Sequence, residues 1–362
     1  MIRLGLYGCG RRTKTLLNSL IQDHFYRVEA AFDQNPSQAE TMTAEFGGRI
    51  CRTADELVAS PDVDAFLISL SPFAHAAALK KTIPAGRPIF VEKPVAFTGA
   101  EVSGIADLAE QYHVPVQVGF MRRYLKETRT ALDFIKQNDP GRIFCVDCSW
   151  LHHGDTEMNY CLYHQPDNFR LQVSQIPYHC CHMLDIMLLF GGPVQSVSSQ
   201  LLKVTERPYP SPDDLIANVK FANGANGRFH YSSMVYHSQI AYWFNAENYS
   251  IKMNADGNNL AIFRRPRFQT SRLGPNPEKE KNFSSFNASY ERNCGPEIIN
   301  FSQGDDAATE NIVYDFVRMV RDGVVPSADL RTAARVQGFA EAIELSGRLG
   351  RPVELDEKGI PV

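Results

Sequence analysis

The sequence predicts an α/β protein in two parts, a doubly wound parallel sheet in the first third and then an α+β part built on a large, mainly antiparallel sheet. Three observations carry this. Short apolar runs alternate with longer amphipathic stretches over the first 120 or so residues, apolar and polar residues alternate in the runs beyond residue 140, and 362 residues exceed what one hydrophobic core holds.

Taken in order, the apolar runs at residues 2–7, 28–32, 65–69, 89–91 and 116–118 are nearly unbroken, as strands covered on both faces must be. Helical stretches fall between them, for example residues 99–112. After Gly119 a helix is expected over 126–137, then strands over 142–150, 196–204, 215–221 and 227–235. Ala222-Asn223-Gly224 supplies the positive φ angles of a tight hairpin between the last two. The apolar stretch 178–190 reads as a helix capped by Gly191-Gly192. Residues 264–306 are polar and rich in Asn, Ser and Pro, and are read as a lid, an insertion or an oligomer arm. Two closing helices, 307–321 and 332–349, are expected to pack beside the first part. The change of period sets the boundary, giving parts 1–123 and 124–362.

Composition narrows the function. A net charge of −4 provides no basic field for a phosphate backbone, and no apolar run is long enough for a membrane span, so neither nucleic acid nor membrane is an expected partner. Residues 2–7 already form a strand, without the pattern of a secretory signal, so the expected location is the cytoplasm. Eight cysteines are too sparse for a disulfide framework. Cys145 and Cys148 have metal-site spacing, but in a strand residues three apart face opposite sides, and no metal is expected.

The first strand runs into Gly8-Cys9-Gly10-Arg11-Arg12-Thr13 and a helix, the context of a dinucleotide fingerprint. Gly8 allows the tight turn and Gly10 the approach of a pyrophosphate to the helix N-terminus. Thr13 stands at the third glycine position, which predicts a slightly wider helix–strand spacing. Asp33 ends the second strand, where a carboxylate accepts from ribose hydroxyls and repels a 2′-phosphate, favouring NAD. NADP is the alternative, because Arg11 and Arg12 lie near, and a turn-forming role before Asn35-Pro36 is the plainer reading of Asp33. The first part is thus expected to be a Rossmann domain. Ser71-Pro72-Phe73-Ala74-His75 and Glu92-Lys93-Pro94 follow later strands, at the sheet edge where such folds bind ligands.

Together with Gly119-Phe120-Met121-Arg122-Arg123-Tyr124, these segments resemble the Gfo/Idh/MocA family of sugar and inositol oxidoreductases over nearly the whole chain. The resemblance implies that Ser71, Pro72, His75, Glu92 and Lys93 border the cofactor with Gly8, Gly10, Arg11, Arg12 and Asp33. It implies that Lys93 lies beside the nicotinamide and the substrate hydroxyl, and that Lys93-Pro94 is cis. A cation there stabilises a developing alkoxide. The family's second signature places a catalytic histidine on a helix. Here the segment reads Tyr178-His179-Cys180-Cys181-His182-Met183-Leu184-Asp185, so His182 inherits the acid/base role. Tyr178 replaces the family's first Asp, and His179, one turn before His182, is the candidate to stand in for it. Arg122, Arg123 and Tyr124 are expected to line the substrate cleft, with an interdomain ion pair as the plainer reading. An aromatic group of His152, His153, Tyr160, Tyr163 and His164 is suited to stacking on a sugar, with an ordinary loop as the safer reading.

The resemblance implies hydride transfer between a nicotinamide cofactor and a hydroxyl-bearing carbon of a sugar, sugar derivative or inositol. The same fold serves NAD-dependent glycoside hydrolases, which oxidise transiently, and regulators that bind the dinucleotide without turnover. The joint presence of Lys93 and His182 favours catalysis. A homo-oligomer, dimer or tetramer, is expected from an open antiparallel sheet face.

Overall fold

The computed structural model describes residues 1–19, 25–153, 172–206, 210–254, 259–264, 296–301 and 308–362. Six strands, β1 (Ile2–Tyr7), β2 (Tyr26–Phe32), β3 (Arg49–Ile50), β4 (Ala65–Ile68), β5 (Ile89–Val91) and β6 (Val116–Val118), form a parallel sheet in the order β3-β2-β1-β4-β5-β6. Every residue of β4, β5 and β6 is buried, which matches the nearly unbroken apolar runs of the sequence; the one polar residue among them, Gln117, donates to the Ile312 carbonyl.

Helices α1 (Arg11–Asn18), α2 (Pro36–Phe46), α3 (Ala54–Val58), α4 (His75–Thr82) and α5 (Gly99–Gln111) connect these strands. Their starts follow local chemistry. Asn35 caps α2 by accepting from the Ser37 amide ahead of Pro36, and Thr53 and Thr98 cap α3 and α5 through the Glu56 and Glu101 amides.

After β6 a 3₁₀ turn at Met121–Tyr124 leads into α6 (Lys126–Gln137). The second sheet then begins with β7 (Ile143–His153), which extends beyond the expected strand and takes in His152 and His153. β8 (Val194–Leu202), β9 (Asp214–Phe221), β10 (Asn226–Ser232), β11 (Met234–Ala246), β12 (Tyr249–Asn254), β13 (Asn259–Arg264), β14 (Glu297–Asn300) and β15 (Val353–Glu354) complete it. Their order is β14-β13-β12-β11-β7-β10-β9-β8-β15, antiparallel except where β10 runs parallel to β7. The β9–β10 hairpin closes at Gly224, φ 88°, as expected, but Asn223 does not take the positive φ expected of it and instead accepts from the Ala225 amide through its side chain.

The expected single strand over 227–235 is two strands. Ser233 breaks it, its amide and hydroxyl both donating to the Asp213 carbonyl, and the chain passes from one side of β7 to the other. The expected helix over 178–190 begins instead with a π turn at Ile176–Cys180 and continues as α7 (Cys181–Gly191), ending at Gly192 with φ 81°. Helices α8 (Ala308–Asp322) and α9 (Leu330–Leu349) pack back as expected. Ile312 and Phe316 of α8 share a core with Leu4 of β1 and Leu16 of α1, while α9 lies against α5, β8 and α7. The 264–306 segment falls mostly outside the described residues, as do Tyr160, Tyr163 and His164.

Candidate active site

β1 delivers the glycine turn to the edge of the sheet. A Cβ on Gly8, φ 99°, would sit 2.1 Å from the Ser69 carbonyl oxygen, so only glycine fits there. Gly10 caps α1 with no side chain, and a Cβ on it would meet nothing within 4 Å. The first-turn amides have no acceptor inside the helix and are the donors that a pyrophosphate approaching Gly10 would meet. Thr13 is buried at the third glycine position, and its hydroxyl donates to the Gly8 carbonyl at 2.8 Å, bracing the turn. Asp33 is half-buried. One carboxylate oxygen accepts from the Cys9 amide and the other from the Asn35 amide, each at 2.8 Å, so the same side chain shapes its turn and holds an acceptor against the glycine loop. Arg11 is exposed, whereas Arg12 turns inward to Glu92. The residues present thus fit a dinucleotide.

β5 delivers Glu92-Lys93-Pro94, and the Lys93–Pro94 bond is cis. The Lys93 ammonium donates to the Tyr178 carbonyl at 3.3 Å and lies 4.8 Å from the centre of the Tyr178 ring. His182, on the first turn of α7, is 7% exposed, and its Nδ1 has no hydrogen-bond partner. Burial holds its pKa well below the usual imidazole range, reinforced by the positive charges of Lys93 and Arg122 and by His179 and Arg12. The ring is thereby held in its neutral form, which leaves a nitrogen able to accept a hydrogen bond from a hydroxyl. His179 borders it, with ring centroids 6.2 Å apart, and Phe120 meets it edge to face at 6.3 Å.

The structure thus brings Arg12, Lys93, Arg122, Tyr178, His179 and His182 together. Three other expected contacts with ligands are corrected. Arg123, 8% exposed, is bound through Nε and Nη2 to the fully buried Asp185 at 2.6–3.0 Å and also donates to the Ser327 carbonyl, which is the interdomain pair. The buried Tyr124 hydroxyl donates to the half-buried Asp315 at 2.5 Å. His75 is 1% exposed, with Nδ1 on the Pro94 carbonyl at 2.8 Å and Nε2 accepting from the Leu70 amide at 3.0 Å, so it ties two loops together instead of touching a cofactor. Ser71 is exposed and Pro72 buried in the loop after β4.

Sequence reasoning missed Trp150 and Tyr231 and undervalued His152. Trp150 stacks on His152 at 4.6 Å and packs against His179 at 4.7 Å and Tyr231 at 5.3 Å, an aromatic wall beside the catalytic candidates. His152 Nε2 is buried without a partner, and burial, then His153, lowers the ring's pKa to about 4. The signal was the strand period: residues 148, 150 and 152 share one face of β7.

Comparison with known proteins bears on the fold and the family. In structure, the chain resembles a levoglucosan dehydrogenase in complex with NADH, with TM-score 0.81 at 18% identity and 98% of each chain covered. It also resembles the WlbA dehydrogenase of Bordetella pertussis in complex with NADH and UDP-GlcNAcA, with TM-score 0.77 at 18% identity, covering 100% of this chain and 97% of the other. At that identity the fold is what is shared. In sequence, it is 29% identical over 147 residues to the rhizopine catabolism protein MocA of Rhizobium meliloti, covering 40% of this chain and 46% of that one. It is 35% identical over 133 residues to an inositol 2-dehydrogenase of Acidothermus cellulolyticus, covering 34% and 37%. The chain therefore spans less than half the length of each of these two curated relatives. Residues 2–120 match the oxidoreductase family with an NAD-binding Rossmann fold, and residues 128–252 match the GFO/IDH/MocA C-terminal domain. The chain belongs to the Gfo/Idh/MocA oxidoreductase family.

Proposed function

We propose that the protein is an NAD-dependent dehydrogenase that oxidises a hydroxyl-bearing carbon of a sugar, a sugar derivative or an inositol. The observation that carries this is the neutral, buried His182, with a partnerless ring nitrogen, near the Lys93 ammonium at the mouth of the dinucleotide cradle. When bound, NAD supplies the hydride acceptor. Lys93 orients the hydroxyl and offsets negative charge developing on its oxygen. His182 takes the proton, and its burial among positive charges favours the neutral form needed to do so. His179, Trp150 and His152 present rings against which an apolar sugar face can stack. Asp33 favours NAD over NADP, since Arg12 is engaged with Glu92.

The relatives' names, inositol and levoglucosan dehydrogenases, set the first substrates to try. A cytoplasmic homo-oligomer fits this reading. The outward face of the second sheet exposes Ile216 and Met234, and no helix among the described residues is long and apolar enough to cross a membrane.

The test is NADH formation, followed spectrophotometrically, on a panel including myo-inositol and levoglucosan. Lys93→Ala and His182→Ala each lower turnover by roughly 10²-fold or more, the scale for losing a charge partner or a general base, while NADH binding changes by less than about threefold. His179→Ala is milder. NAD is used at least about tenfold more efficiently than NADP. Release of sugar from a glycoside with no net NADH would replace this reading by redox-assisted hydrolysis, and NADH binding with no turnover on any member would favour a regulator.

A further inference from the structure

The Glu92 carboxylate is held on three sides. Its side chain is 9% exposed, and Oε1 accepts from Arg12 Nε at 2.7 Å. Oε2 accepts from the Lys93 backbone amide at 3.2 Å, and a Cβ on Gly119 would lie 2.9 Å from the same oxygen, so the group is wedged against bare backbone. Arg12 belongs to α1, which follows β1, and Glu92 follows β5. β4 lies between those strands, so the ion pair spans the loop end of the middle strand. A carboxylate with so little water around it needs a cation, and two are at hand: Arg12 and the side chain of the adjacent Lys93. Arg12 takes the role, and the Lys93 ammonium points the other way, toward the Tyr178 carbonyl and ring.

We propose that Arg12 is a positioning residue: by occupying the Glu92 carboxylate it keeps the Lys93 ammonium out of that ion pair and directed into the substrate cleft. The proposal rests on the dehydrogenase reading only for its effect on turnover. A guanidinium suits this place because it stays charged where water is scarce and is more weakly hydrated than an ammonium. If the guanidinium is removed, the nearest remaining cation is Lys93 itself, and the strong attraction of a poorly solvated carboxylate folds that side chain back.

The test uses the full chain in four forms: native, Arg12→Met, Glu92→Gln and the double variant. Each is reductively methylated with ¹³C-formaldehyde, and the Lys93 resonance is assigned by its loss in Lys93→Arg. No substrate or cofactor is needed. The Lys93 resonance shifts in Arg12→Met and returns toward the native position in Arg12→Met/Glu92→Gln, where no carboxylate remains to capture the ammonium. Dissociation constants for NADH, read by fluorescence, stay within about threefold across the set, because the first-turn backbone amides that face the phosphates are untouched. Where a substrate has been found, kcat in Arg12→Met falls by roughly 30-fold with KM for NAD nearly constant, and the double variant recovers most of it, on the scale of one displaced charge partner.

An unmoved resonance in Arg12→Met overturns the proposal, as does a double variant no closer to native than the single. A tenfold weaker NADH affinity that the second substitution does not repair also overturns it, by making Arg12 a direct contact of the cofactor. If no sugar is oxidised by the native protein, the function is refuted while the Lys93 resonance still decides the role of Arg12. Should Arg12→Met fail to fold, Arg12→Gln carries the same readings.

Discussion

Three histidine rings are held uncharged by burial, and their surroundings separate brace from base. His75 satisfies both nitrogens and ties the loop after β4 to Pro94, whereas His182 and His152 each keep one buried nitrogen without a partner. All three have lowered pKa values, His152 to about 4. Below the ordinary imidazole range near 6.5 the unfolded chain takes up protons that these rings refuse in the native state, so stability falls as pH drops from about 6.5 toward 4. The melting temperature at pH 5 is therefore expected to lie below that at pH 7.5. His152→Phe keeps a ring on Trp150 and cannot be protonated, so it narrows the gap; an unchanged gap would exclude His152 as a contributor. At this scale the sequence was most informative where chemistry is packed into a few consecutive residues, as at Gly8, Gly10, Glu92 and Lys93. Arg123, Tyr124 and His75 were misplaced because their partners Asp185, Asp315 and Pro94 stand 62, 191 and 19 residues away. Nothing local distinguishes a cleft arginine from a buried one.

Helices α5 and α9 meet through two glycines. A Cβ on Gly99 would come 2.8 Å from the Gly338 backbone, and a Cβ on Gly338 would lie 1.8 Å from the Gly359 carbonyl oxygen. Alanine is favoured over glycine inside a helix by about 1 kcal/mol, but here the added methyl meets backbone that cannot rotate away, and overpacking costs about 1–3 kcal/mol or more. The steric cost prevails, so Gly338→Ala is expected to lower the midpoint of urea unfolding; a raised midpoint would mean that the C-terminal segment at Gly359 yields. Most elements were legible because burial on both faces or on one leaves a period in the chain. β4 and β5 are wholly apolar, β6 is apolar but for the buried Gln117, and the Asn-Gly turn marked its hairpin. The corner at Ser233 and the π turn at Ile176–Cys180 were not legible, since each answers to a distant carbonyl or to packing.

Across the whole molecule, Arg123, Asp185 and Ser327 join the 3₁₀ turn after β6, α7 and the segment before α9. Burial raises the Asp185 pKa, opposed by Arg123, so the pair is held by mutual need more than by surplus energy. Asp185→Asn leaves a buried cation uncompensated and is expected to cost about 3–5 kcal/mol in chemical unfolding. Replacing both partners with apolar side chains of similar volume should be far milder; equal losses would show that the charges themselves are not coupled. The fold class was legible at this scale, but the bracing of α8 and α9 against the first sheet was legible only in outline.

That bracing sets an order of events during synthesis. The core around Leu4 and Leu16 is closed by Ile312 and Phe316, so the strands of the first sheet leave the ribosome long before their covering helix exists. At about 5–20 residues per second, the stretch from Val118 to Ile312 takes on the order of 10–40 s to translate. Throughout that interval the apolar flank of β1 and α1 stays uncovered, and it is there that a nascent chain of this protein would need a holding chaperone.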